Sequence, residues 1–171
     1  AQIMPCEAFN IVLDDKSGGD YHAVYLYDSG QRYPAQRVPR GKGLSGRVIS
    51  QGETLFIHDN LQSNVPAVHY GTPRSVRSIL AVPLRKNNET VGMVSAQSYQ
   101  PNAYNERHRV LLETLAAQIT TVIENTRLFD ETRQRVSELE LLYESGLAFN
   151  QLLNPKEIGQ KLIELLEQKL G

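Results

Sequence analysis

The residues that could carry chemistry are one thiol, four imidazoles, a few hydroxyls and a glycine-rich run around a lysine. The thiol is Cys6, the single cysteine of the chain. Alone it can form neither an internal disulfide nor a pair with a resolving thiol, and it reads as a small buried hydrophobe. His22, His58, His69 and His108 show no Cys–His cluster and no metal-ligand spacing, so each reads first as an ordinary surface or core residue. One of them as an axial ligand to haem or iron stays open. Among the hydroxyls, Ser45 is placed to cap a short helix, and Ser95 lies on a strand with no evident base. The run Gly41-Lys42-Gly43-Leu44-Ser45-Gly46 lacks the Lys-Ser or Lys-Thr ending of a phosphate loop, so its glycines read as tight turns before a helix. No acid–base pair of suggestive spacing and no nucleophile motif is present, and no enzyme is expected.

Composition narrows the classes further. The 171 residues are 40% hydrophobic and 22% charged, with a mean hydropathy of -0.37, the values of a chain that buries a core. The formal net charge is -1, with a pI near 6.5 and no basic stripe, so nucleic acid is not an expected partner. No apolar stretch reaches the length of a membrane span. No membrane contact is expected, and the expected location is cytoplasmic.

These residues need elements to hold them. Residues 8–13 and 21–27 are short runs of apolar and β-forming residues around the polar turn 14–20, which predicts a hairpin. A short helix follows from Ser45, ended by Gly52, and then a strand at 55–57. Residues 60–77 carry Asn, Ser, Pro and Gly with few apolar anchors and read as a mobile loop, the least ordered internal segment. A second hairpin joins 78–84 to 90–97 through Arg85-Lys86-Asn87-Asn88-Glu89. Pro83 predicts an edge or a bulge, and Gly92 a bulge or a close backbone approach.

From Asn105, a plausible cap, the apolar period becomes helical and no breaker interrupts it for over forty residues. Taking 112, 115, 119, 122, 126, 129, 133 and 136 as core positions puts Thr126 and Arg133 in an interrupted seam. Asn154-Pro155-Lys156-Glu157 opens another helix. Strands first and helix last predict an α+β fold with an antiparallel sheet.

Several segments, taken together and in this order, resemble the GAF family. They are residues 41–53, Leu55-Phe56-Ile57-His58-Asp59, Val76-Arg77-Ser78-Ile79-Leu80-Ala81-Val82-Pro83-Leu84, Val91-Gly92-Met93-Val94, Pro101-Asn102-Ala103-Tyr104, and 112–128. The resemblance covers roughly residues 6–130. It implies a GAF (PAS-like) antiparallel β-sheet with flanking helices and a long C-terminal signalling helix. It implies a GAF domain over 1–130 without its opening helix. Residues 131–171 would be a linker helix and the first helix of a following GAF domain that is cut off.

The resemblance also implies a cavity between sheet and covering elements. Residues 60–77 would form its lid, with walls from 41–50 and both hairpins. Tyr25, Tyr27, Asp59, His69, Tyr70, Arg74 and Ser78 would be its ligand-binding residues, suited to a small anionic or planar molecule. No cofactor is named by these residues. Tyr104-Asn105-Glu106-Arg107-His108-Arg109 departs from the cyclic-nucleotide signature. Val68 precedes His69 where bilin-binding members carry a cysteine, and sulfoxide-reducing members need several cysteines. The implied function is regulatory. A small-molecule sensor of a bacterial signal-transduction protein would relay its state through a dimeric C-terminal helix to an output domain of histidine kinase or diguanylate cyclase type. A ligand-free dimerisation and relay module with a filled pocket is the alternative. The apolar stripe from Leu112 to Tyr143 exceeds what one sheet face covers and predicts a homodimer. Residues 139–170 are expected to fold back or swap onto apolar surface.

Overall fold

The structure is a computed structural model that describes residues 3–16, 18–63, 74–152 and 155–170. The chain divides into two units, Ala1–Ile123 and Glu124–Gly171.

The first unit is built on one antiparallel sheet. Strand β1 (Ala8–Leu13) pairs with β2 (Tyr21–Asp28), the hairpin expected from two β-forming runs around a polar turn. Two three-residue strands follow, β3 (Gln31–Tyr33) and β4 (Gln36–Val38), and both pair with β2. Helix α1 (Gly43–Gln51) comes next, then β5 (Leu55–Ile57) and the short α2 (Asn60–Ser63). The second hairpin joins β6 (Ser78–Lys86) and β7 (Glu89–Ser98). Among the described residues the strand order is β3-β2-β1-β7-β6-β5, with β4 beside β2. Helix α3 (Glu106–Leu152) then runs unbroken across the boundary of the two units, and α4 (Pro155–Leu170) follows in the second. This is the α+β architecture expected, with an antiparallel sheet, flanking helices and a long C-terminal helix.

Two apolar layers sandwich the sheet. On one face Val12, Ala23, Leu26, Ile79, Ala81 and Met93 pack with Leu44, Val48 and Ile49 of α1. On the other, Leu80, Val82, Leu84, Val94 and Ala96 pack with Leu112 and Ala116 of α3. Strand side chains alternate between the two faces.

Glycines sit where the backbone needs them. A Cβ on Gly92 would lie 2.4 Å from the Val12 carbonyl oxygen, so only glycine lets β7 approach β1 there. A Cβ on Gly46 would lie 2.2 Å from the Gly41 carbonyl carbon, which welds the turn onto α1. Pro83 is tolerated because β5 pairs only with Ile79, Leu80 and Ala81, leaving β6 an open edge from Val82 onward, and a bulge follows between Leu84 and Arg85.

Two helix-end expectations differ in outcome. Asn105 does cap α3: its Oδ1 accepts the His108 amide at 3.2 Å, and its own amide donates to His108 Nδ1 at 3.3 Å. Ser45 does not cap α1. The N-cap is Lys42, with no side-chain cap bond, and Ser45 is buried within the first turn. The left-handed Gly41 and Gly43 turn the chain into the helix three residues earlier than the serine suggested. Gly52, at φ 65°, ends α1 as expected.

Candidate functional site

The face of the sheet that packs on α1 carries polar side chains among its apolar ones. Asn10 lies opposite Ser95 in the β1–β7 register, two residues from the opposed pair Val12 and Met93, so all four face α1. Both polar residues are buried. The Ser95 hydroxyl donates to Asn10 Oδ1 at 2.9 Å, and Gln97 Nε2 donates to Ser95 Oγ at 3.0 Å. A directional row therefore crosses from β7 to β1 inside the apolar layer.

Further along the same face, Asp28 ends β2 and is also buried. Its carboxylate accepts the Tyr99 hydroxyl and, at 2.9 Å, the Ser29 hydroxyl. Tyr99 packs against the α1-side layer, and the Arg74 guanidinium lies 5.9 Å from its ring centroid, within cation–π range. Asn10, Asp28, Ser95, Gln97, Tyr99 and Arg74 thus supply amide, hydroxyl, carboxylate and guanidinium groups on one face. Burying Asn10, Asp28 and Ser95 costs stability unless each finds a partner, and each has one.

The residues expected at the ligand distribute differently. Arg74 is on this face. Tyr25 and Tyr27 share a face with each other, as alternation requires, but they oppose Ile11 and Phe9 and belong to the α3 side. The Tyr25 ring meets Phe9 edge-on at 6.0 Å, with Arg32 4.9 Å above it. Ser78 is fully buried on the α3 side as well. Its hydroxyl donates to the Gln100 carbonyl at 2.6 Å and accepts the Ala103 amide at 3.3 Å, which pins the chain between β7 and α3. Asp59 is held by Arg77 through two contacts at 2.8 and 2.6 Å and accepts the Leu61 amide at 3.2 Å, fixing the entry to α2. The Arg77 hydrogen bond holds its carboxyl below the ordinary range. His69 and Tyr70 lie outside the described residues, as does most of the expected lid.

Cys6 lies on the α3 side, half-buried, with its thiol 3.5 Å from the Ala8 carbonyl oxygen. Burial, aided by nearby Glu7, raises its pKa, so the thiol is protonated near neutral pH. A groove of about 370 Å³ also opens on that side, between Val82, Pro83, Ala116 and Ala117, where Thr54 Oγ1 donates to Glu113 at 3.0 Å.

Residues 1–124 match the family model of the GAF domain. The chain belongs to the GAF domain family. Solved structures agree on the fold. The GAF domain of a two-component sensor histidine kinase from Bacillus halodurans is 21% identical, with a TM-score of 0.59 over 73% of this chain and 86% of that one. The GAF domain of a phosphoenolpyruvate-protein phosphotransferase from Acinetobacter is 18% identical, with a TM-score of 0.55 over 72% and 74%. A type II free methionine-R-sulfoxide reductase from Thermoplasma acidophilum is 16% identical, with a TM-score of 0.57 over 71% and 80%. The GAF fold is thus shared by enzymes and by domains of signalling proteins, and the fold alone does not decide between them. Among the described residues no helix is long and apolar enough to cross a membrane.

Proposed function

We propose that this GAF domain is a regulatory sensing module that binds a small polar molecule against the α1 face of the sheet. Its state would pass through α3, in a dimer, to an output domain of histidine kinase or diguanylate cyclase type. The observation that carries this reading is the row Gln97–Ser95–Asn10, whose serine and asparagine are buried, with Asp28 and Tyr99 on the same face. Carboxamides and hydroxyls offer both donors and acceptors, the inventory that orients a neutral or zwitterionic ligand. The row also borders the hairpin whose chain continues directly into α3, so a shift in β7 has a covalent path to the helix. Residues beyond the sheet are read as linker helix leading to a following domain.

The module is read as non-catalytic. Its one cysteine faces away from the polar row, on the opposite side of the sheet, with its thiol held protonated. Thiol chemistry on a ligand at Ser95 has no nucleophile in this chain.

A second reading is a ligand-free relay. It is favoured by Leu44, Val48 and Ile49 packing directly on the sheet and by a polar row that satisfies its own hydrogen bonds. Mass spectrometry of small molecules released from gently purified protein, followed by thermal-shift titration of each, separates the two. The sensing reading expects a polar compound that raises Tm in the natural chain and not in Ser95→Ala or Gln97→Ala. A compound with the same shift in all three proteins rejects the site. No binder in a broad metabolite screen supports the relay.

A further inference from the structure

The second unit presents an apolar column with a strict step of seven. Phe129, Val136 and Tyr143 on α3 are 74%, 48% and 69% exposed. The same step runs back along the helix to the exposed Val122 and Leu115. Phe129 and Val136, with Leu128 and Thr132 on one side and Arg133 and Glu140 on the other, wall an open groove of about 720 Å³. In a straight α-helix positions seven apart drift by about 20° per heptad. A column with this step stays covered only by a partner that supercoils with it, and such a partner is a helix of the same repeat. Residues 125–147 of α3 span about 34 Å, whereas the 16 residues of α4 span about 24 Å. Helix α3 itself has both the length and the repeat.

The charges select the orientation and the register. One neighbouring column reads Asn125, Thr132, Leu139, Gly146, uncharged throughout; the other reads Thr126, Arg133, Glu140. Using the second column sets each Arg133 against its own copy inside the seam, where like charges are costly. Using the first leaves Arg133 and Glu140 on the flank. It also brings Leu128, Arg135 and Leu142 beside Arg133, Glu140 and Leu147 of the other helix, five residues further on. Arg135 then meets Glu140, and Leu142 meets Leu147. In the other register the flanking pairs are Asn125 with Asp130 and Leu139 with Glu144, neither complementary.

We propose that residues 125–147 pair in parallel with the same segment of a second copy of this chain, through Phe129, Thr132, Val136, Leu139 and Tyr143, with Arg135 of each copy facing Glu140 of the other. This rests on the dimeric-relay reading above and adds its geometry. Leu115, Val122, Phe129 and Val136 are half of the seam expected from sequence; the other half differs, because Leu112 and Ile119 of the expected second column pack on the sheet.

The test uses the full chain with Cys6→Ser and single cysteines placed along α3. Air oxidation is expected to cross-link Thr132→Cys, Val136→Cys, Leu139→Cys and Tyr143→Cys rapidly, and Arg133→Cys and Glu138→Cys slowly. Arg135→Glu and Glu140→Arg are each expected to weaken the dimer roughly tenfold, and their combination to restore it to within about twofold. Faster cross-linking at Thr126→Cys and Arg133→Cys than at Thr132→Cys overturns the register while the dimer stands. Cross-linking confined to one short stretch means an antiparallel pair and overturns the orientation. A monomer at high micromolar concentration defeats the relay reading itself. If that monomer also loses Tm on Phe129→Glu, the groove belongs to the chain's own α4.

Discussion

Ser95 and Asn10 meet at 2.9 Å across the β1–β7 ladder, both buried, with the serine hydroxyl as donor. Gln97 completes the row from the other side. Replacing Ser95 by alanine strands a buried amide oxygen on Asn10 and a donor on Gln97. Each such group costs about 1–3 kcal/mol when left unmade, so Ser95→Ala should lose about 1–3 kcal/mol in urea denaturation. Ser50→Ala, an exposed hydroxyl on α1, should stay within about 0.5 kcal/mol. Equal effects from the two would mean that the row contributes nothing specific.

Asp59 and Arg77 tie the entry of α2 to the start of β6. The Asp59 pKa is lowered in the folded chain, chiefly by the Arg77 hydrogen bond. A lowered carboxyl contributes stability that is present above its unfolded value, near 4, and is lost as pH falls through the folded value. Denaturation midpoints should therefore fall more steeply below pH 4 in the natural chain than in Asp59→Asn. Parallel curves for the two proteins would show that the pair does not couple to folding. Both partners keep part of their surface in solvent, so the contribution is a small part of the acid transition.

Two glycines make opposite predictions. Gly46→Ala drives a Cβ to 2.2 Å from the Gly41 backbone, which nothing flexible can relieve, and should cost about 2 kcal/mol or more. Gly146 sits within α3 with nothing within 4 Å of its would-be Cβ. Gly146→Ala should stabilise the helix by about 0.5–1 kcal/mol through the unfolded chain and helix propensity. Thermal denaturation followed by circular dichroism reads both. Destabilisation by Gly146→Ala would reveal a close neighbour at that position.

The sequence shows most of this fold and less of the site, for physical reasons. Strands β1, β2, β6 and β7 are legible because β-forming runs end in turn residues, and Gly92 announces its close approach. β3 and β4 escape notice because each is three residues long, mostly exposed and polar, with Pro34 between them. Asn10 and Ser95 escape because one polar residue in an apolar strand does not say which face it takes or what opposes it. Tyr25 and Tyr27 were legible as a pair on one face. Assigning that face needs the register against β1, which shifts between Ile11 and Val12. Arg74 belongs to the expected lid, whereas Tyr99, whose ring it approaches, lies beyond the strand expected over 90–97. The expectation of a mobile lid falls largely on residues that lie outside the described ones.

The remaining prediction separates a sensor from an enzyme at Cys6. The thiol is half-buried under the α3 layer with Met4 and Phe9, and burial raises its pKa. Thiolate, not thiol, reacts with alkylating reagents, so a protonated and partly covered sulfur should react slowly. Labelling of the native chain by a maleimide at pH 7.5 should run markedly slower than in urea, because the raised pKa lowers the thiolate fraction and burial limits access to the sulfur. Removing the sulfur changes little volume, and Cys6→Ala should cost about 1 kcal/mol, as for a small partly buried apolar group. Any ligand found by the thermal-shift screen should bind Cys6→Ala as it binds the natural chain, because the polar row lies across the sheet from the thiol. Fast native labelling, together with thiol-dependent reduction of free methionine sulfoxide that disappears in Cys6→Ala, would instead place catalysis in this chain. That result would require the sulfur to reach a substrate through the α3 side. It would leave the Asn10–Ser95 row without the role assigned to it.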